Sequence, residues 1–130
     1  MTRSVKLASS IVLLHFVVNL VHGAAHTKLQ ILLDPASTVF VVAVILLLPL
    51  AAMALLWTSR QRLGWLLLTA SMGAALLFGA FKHFLEMSLD HVGHQPAGTW
   101  ATLFAVTAYL LLLTEASGTY MGLRNLSRKV

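Results

Sequence analysis

Histidines carry most of the chemistry that this sequence can perform. The chain has six histidines and four acidic residues but no cysteine, so a metal site in it must use imidazole and carboxylate donors instead of thiolates. His22 and His26 form an HxxxH pair. Their i, i+4 spacing places both imidazoles on one face of a helix, where they can share one metal ion.

A second group of candidate ligands begins at His83. Imidazole nitrogens bind metals directly, and nearby carboxylates bind the metal or orient the rings. If the helix continues past the apolar stretch, four residues share one face at spacings i, i+3, i+7 and i+11, namely His83, Glu86, Asp90 and His94. Such donors suit zinc, iron, manganese or copper(II). The predicted metal ligands are His22, His26, His83, Glu86, Asp90, His91 and His94.

The same histidines permit a second cofactor. A b-type haem in a helical bundle needs a histidine from each of two helices and small residues beside the macrocycle. His22 and His83 are the predicted axial pair, and Gly73 and Gly79 supply small side chains near His83. Because small residues also serve close helix packing in lipid, the sequence favours a metal ion and keeps haem b as the alternative.

The elements that position these residues are membrane-spanning helices. The chain is 58% hydrophobic and 10% charged, whereas soluble domains carry about 25% charged residues. A bilayer core about 30 Å thick needs about 20 apolar residues per helix. The sequence therefore predicts an all-α integral membrane protein, with residues 1–130 forming one domain of four antiparallel transmembrane helices. The predicted spans are residues 6–25, 35–57, 63–84 and 99–118.

The basic residues predict the orientation of the chain. Seven of its nine Lys and Arg residues lie at the two termini or between the second and third spans, and cytoplasmic loops are enriched in such residues. We therefore expect both termini to be cytoplasmic, in a cell membrane of the bacterial inner-membrane type. The net charge of +5 is explained by topology and lipid attraction, so no nucleic-acid partner is expected. The seven residues are Arg3, Lys6, Arg60, Arg62, Arg124, Arg128 and Lys129.

The two histidine groups are expected at the same depth. About 20 residues separate Lys6 from His26, and the same number separates Leu63 from His83. At 1.5 Å per residue, each distance is about 30 Å along a helix. Both groups then lie near the extracytoplasmic surface. Ionisable groups are costly at membrane depth, so their convergence predicts a functional site facing the periplasm or the outside.

Three functions fit this pattern. The main prediction is a metal site that serves redox chemistry, metal-dependent chemistry or metal handling at the extracytoplasmic face. The first alternative is a haem b electron-transfer subunit. The second is a cofactor-free accessory subunit, whose small-residue helix face contacts a membrane complex or a second copy of the chain. No pattern identifies a substrate, so the sequence assigns no enzymatic reaction.

Glu115 is separate from both histidine groups. It lies 16 residues into the fourth predicted span, which predicts a place near the cytoplasmic side and an arginine as its partner. The alternative is a proton path in which His15 and Asn19 are intermediate stations, since such a path requires ionisable groups along the membrane depth.

Overall fold

Four long helices make up most of the chain. The structure, a computed structural model, describes residues 2–128; Lys129, one of the predicted orientation signals, lies outside them. Within these residues each of the four helices is long and apolar enough to cross a membrane, which confirms the prediction of four helices of this length and composition. The helices are α1 (Arg3–Lys28), α2 (Pro35–Leu56), α3 (Gln61–Leu85) and α4 (Thr99–Ser127).

Local hydrogen bonds fix the connection between α1 and α2. Gln30 adopts a left-handed conformation with φ 55°, and the Ile31 N–H donates to the His26 carbonyl over 2.9 Å, which is the pattern of a Schellman turn. Asp34 caps α2 by accepting hydrogen bonds from the N–H and the hydroxyl of Ser37 at 2.9 and 2.6 Å. These two bonds lower the pKa of the Asp34 carboxyl below its ordinary value.

Two of the helices contain π-helical turns. In α2 the stretch Val41–Leu47 lies just before Pro49, whose missing N–H removes one helical hydrogen bond. In α3 the turn Phe81–Leu85 carries His83 and closes with a 2.7 Å bond from the Glu86 N–H to the Phe81 carbonyl. Such turns are frequent at functional sites.

The segment after α3 is a loop. The helix ends at Leu85, Glu86 is extended, and only the short 3₁₀ turn Val92–His94 interrupts the loop before α4. The conditional expectation that His83, Glu86, Asp90 and His94 share one helical face therefore does not hold, because their spacing is helical only on a continuous helix.

A closed apolar core lies at one end of the bundle. Gly118 and Gly122 of α4 let this helix approach α3, because a Cβ atom at either position would collide with Met72 or Thr69. The core joins the beginning of α1 to the end of α2 and the beginning of α3. Its buried residues are Val5, Ala8, Val12, Ala52, Leu56, Trp65, Leu68, Met72 and Met121.

The opposite end of the bundle is less tightly packed. Along the bundle α4 packs on both α1 and α3. The first half of α2 packs chiefly on α3, whereas its second half contacts both α3 and α1. The looser packing leaves a cavity of about 680 Å³ beside α1. The helices around this cavity position the predicted ligands.

Candidate metal centre

Three of the predicted ligands come together at the head of the cavity. His22 and His26 of α1 and His83 of α3 each place one ligand atom within 4.8 Å of the other two. The Nε2 atoms of His22 and His83 are 3.2 Å apart. With metal–nitrogen bonds of about 2.0–2.1 Å, tetrahedral geometry separates neighbouring ligand atoms by about 3.4 Å. The spacing of these two nitrogens therefore fits a single ion.

Phe104 of α4 supports all three imidazoles. Its ring is fully buried and lies 4.7 Å from the His22 ring, 5.1 Å from that of His26 and 5.3 Å from that of His83, measured between centroids. The α1 pair lies one helical turn apart, and the π turn of α3 presents His83 to it. Aromatic packing thus restricts the rotation of the rings and excludes water from one side.

The hydrogen bond of His22 fixes its tautomer. Its Nδ1 lies 2.7 Å from the Thr107 hydroxyl oxygen. That hydroxyl is 2.6 Å from the Leu103 carbonyl, which can only accept, so the hydroxyl proton is donated there. Thr107 therefore accepts the Nδ1–H of His22, and the lone pair of His22 is on Nε2.

The other two histidines are held in the same way. His26 Nδ1 lies 3.2 Å from the Ile31 carbonyl and His83 Nδ1 lies 3.0 Å from the Asp90 carbonyl. A carbonyl accepts only, so both Nδ1 atoms carry the proton. When the rings are neutral, as metal binding requires, their Nε2 atoms are left as acceptors. This is the tautomer that metal-binding histidines adopt when their second nitrogen is hydrogen-bonded to the protein.

Asp90 adds a carboxylate at the edge of the triad. Its Oδ1 lies 3.3 Å from His26 Nε2 and 3.1 Å from His83 Nδ1. Within the described residues no group donates a hydrogen bond to this buried oxygen, so its lone pairs remain available. The carboxylate therefore lies beside the Nε2 atom of His26, where its negative charge favours a cation.

The remaining predicted ligands lie on the loop with other partners. Glu86 accepts a 3.0 Å hydrogen bond from Lys82, and its side chain is 33% exposed. The rings of His91 and His94 contact main-chain carbonyls of the loop at 3.3 and 2.8 Å. The structure thus brings His22, His26 and His83 together with Asp90, and it places Glu86, His91 and His94 outside this group.

Glu115 pairs with His15 and not with an arginine. Its Oε1 lies 3.2 Å from His15 Nε2, and the two side chains are only 2% and 1% exposed. Asn19 contributes an amide nitrogen 3.0 Å from the same His15 atom. The expectation of an arginine partner was wrong, and α4 continues to Ser127, well beyond the predicted end at residue 118. Glu115 therefore lies near the middle of its helix.

The triad and Glu115 line the same cavity. Sequence reasoning missed Phe104 and the contact between Thr107 and His22; their only signal was a helical position on α4 at the depth of the histidines. The arrangement can bind a metal ion through three neutral nitrogens and leave one side of the ion open to the cavity. Comparisons of the chain with models of known families, with curated proteins and with solved structures find no match.

Proposed function

We propose that this chain is an integral membrane protein that binds one divalent transition-metal ion through the Nε2 atoms of His22, His26 and His83. In this proposal the ion serves metal-dependent chemistry on a molecule held in the adjoining cavity. The observation that carries the proposal is the common tautomer of the three rings. Each Nδ1 lies within hydrogen-bond distance of a protein oxygen that accepts its proton, so the three rings, when neutral as metal binding requires, keep their Nε2 lone pairs available for one ion.

The number of protein ligands supports chemistry over a purely structural role. Structural zinc sites have four protein ligands, whereas catalytic sites have three and keep a position for water or substrate. Here three imidazoles bind, and the same cavity lies against them. Neutral imidazoles suit zinc, copper and iron better than manganese. Such an ion would polarise a bound oxygen or lower the pKa of a bound water.

The proposed orientation places the triad on the extracytoplasmic side, which is periplasmic in a bacterial inner membrane. Arg60 lies between α2 and α3 and Arg62 lies in the first turn of α3, close to the apolar core cluster and far from the histidines. Positively charged loops remain on the cytoplasmic side. The triad at the opposite end of the helices then faces outwards.

The packing around His22 and His83 favours a single ion over a haem. A haem iron lies between its two axial nitrogens, with the macrocycle spread around it. The two Nε2 atoms are 3.2 Å apart, and the rings of His26 and Phe104 pack against His22 at 4.9 and 4.7 Å. These rings fill the space that the macrocycle would take.

Metal analysis of the detergent-purified protein tests the proposal. After removal of bound metal and incubation with zinc, we expect about one zinc per chain, since one triad is present. The His22→Ala/His83→Ala double variant should lose this zinc. The matched control is His91→Ala/His94→Ala, which removes two loop histidines and should retain it.

Three results would contradict the proposal. Zinc retained by the His22→Ala/His83→Ala variant would place the metal elsewhere. A Soret absorption band with bound iron would indicate the haem b subunit instead. A protein that binds none of zinc, iron, copper or manganese would favour the cofactor-free accessory subunit.

A further inference from the structure

A buried carboxylate oxygen lies at the deep end of the cavity. Glu115 Oε1 contacts His15, but Oε2 has no hydrogen-bond partner within the part of the chain that the structure describes. A Cβ atom built on Gly79 would lie 3.7 Å from Oε2 and 4.0 Å from His83 Cδ2. The oxygen therefore faces the space above Gly79, and the metal-binding ring of His83 borders the same space.

The rest of the cavity is mostly apolar. Its wall includes Ile45 of α2, Phe78 of α3 and Leu111 of α4. Its volume of about 680 Å³ lies within the range of sites that bind small molecules, about 300–1,000 Å³. A ligand that matches this wall has a sizeable apolar body and one polar group for Glu115.

The cavity is bordered by α1 and by the first half of α2. These two segments make few contacts with each other, so the cavity opens sideways between them. Gly23 of α1 lines it, and a Cβ atom there would meet no atom of the described residues within 4 Å. On the other side of the opening, Thr38 and Val41 of α2 line the cavity, while Val39 and Val42 of the same stretch are 67% and 46% exposed. An opening between two membrane-spanning helices faces acyl chains, so a ligand enters from the bilayer.

From these observations we infer that the cavity binds a membrane-dissolved alcohol or phenol. The hydroxyl of this ligand donates a hydrogen bond to Glu115 Oε2, and its apolar body lies between α1 and α2. A neutral O–H is the matching donor because a buried carboxylate oxygen requires one and a charged ligand dissolves poorly in hydrocarbon. The ligand site itself does not depend on the proposed function. Only the further step, in which the metal ion acts on this molecule, rests on it.

Photoaffinity labelling tests the inference in lipid nanodiscs. The probe is 1-hexadecanol with a diazirine in its chain, and the matched control is the methyl ether of the same probe, which cannot donate. We expect the alcohol to label the peptides that contain Ile45 and Leu111. The ether should label them about tenfold less, as expected for the loss of one hydrogen bond. Competition by unlabelled hexadecanol and by 4-dodecylphenol shows which hydroxyl class binds more tightly.

Two variants separate the carboxylate from the fold. Glu115→Leu should reduce the alcohol labelling to the level of the ether. Glu86→Leu removes the second glutamate of the chain, which lies on the loop after α3, and should leave the labelling unchanged. Equal labelling by alcohol and ether in the wild-type protein would overturn the inference, and this comparison needs no variant to fold. Labelling confined to lipid-facing residues such as Leu13 would overturn it as well.

Zinc content measured on the same samples keeps the two proposals apart. Bound zinc without a preference for the alcohol overturns the ligand site alone. A preference for the alcohol without bound zinc overturns the metal centre alone and leaves the ligand site standing.

Discussion

Thr107 offers the sharpest test of how the metal centre is oriented. Its hydroxyl oxygen accepts the Nδ1–H of His22 at 2.7 Å and touches no metal position itself. Thr107→Val has nearly the same shape but removes this acceptor. His22 then either loses its hydrogen bond or moves the proton to Nε2, where it blocks the lone pair that binds the metal.

The expected cost follows from the position of the bond. Removal of a hydrogen bond to a ligating histidine typically lowers metal affinity about 10- to 100-fold, which is about 1.4–2.7 kcal/mol of binding free energy. Thr107 is only 5% exposed, so water has little access to replace the lost acceptor. We therefore expect the zinc Kd of Thr107→Val to rise by the upper part of this range, with the stoichiometry unchanged.

Competition between the protein and a chelating dye measures the zinc Kd. The matched control is Thr114→Val on the same helix, because Thr114 is 7% exposed and its hydroxyl also donates to carbonyls of its own helix at 3.0 Å. Its described hydrogen bonds involve no histidine. Thr107→Ser keeps the acceptor and should bind zinc nearly as the wild type does. Equal Kd values for Thr107→Val and Thr114→Val would refute the tautomer argument.

Four further substitutions concern the bundle, and their effects are measured by unfolding in detergent. Gly122→Ala should lower the free energy of unfolding by about 1–3 kcal/mol, because its Cβ would collide with Thr69. Gly23→Ala, where the space is open, should raise it by about 0.5–1 kcal/mol, and a loss equal to that of Gly122→Ala would contradict the packing argument. Gln30→Gly should raise it by up to about 1 kcal/mol, since φ is 55° there and glycine adopts this conformation without strain; a clear loss would argue against the Schellman turn. The Asp34 carboxyl that caps α2 has a lowered pKa. Its contribution to the free energy of unfolding is therefore present above the ordinary pKa of 3.8 and is lost as the pH falls through the lowered value. Asp34→Asn should abolish that part of the acid destabilisation, and an unchanged pH profile would show that the cap contributes none of it.

Much of the candidate metal centre was predictable because the relative positions of its histidines depend on helical geometry. The i, i+4 spacing of His22 and His26 fixes their common face. The rise of 1.5 Å per residue then sets the depth of these residues and of His83. Both properties come from local backbone hydrogen bonds, so they follow from the sequence without knowledge of the packing. The four helices were predictable for a similar reason, since apolar length is a property of each segment.

The sequence could not show which loop residues reach the site. The helical spacing of Glu86, Asp90 and His94 implied a common face, but the π turn at Phe81–Leu85 ends α3 first. Asp90 nevertheless reaches the histidines because the loop folds back, and the Asp90 main-chain carbonyl accepts the Nδ1–H of His83. Where a loop folds back depends on its contacts with the bundle, and spacing carries no information about those contacts.

The sequence by itself determined four helices long and apolar enough to span a membrane and the convergence of three histidines. Only the tertiary structure decided the rotation of α4, which brings Thr107 and Phe104 to the triad and Glu115 to His15. The rotation of one helix against another is set by side-chain packing between segments far apart in the chain. Here the contact of Gly118 and Gly122 with α3 contributes to it, and hydropathy alone does not encode such a contact.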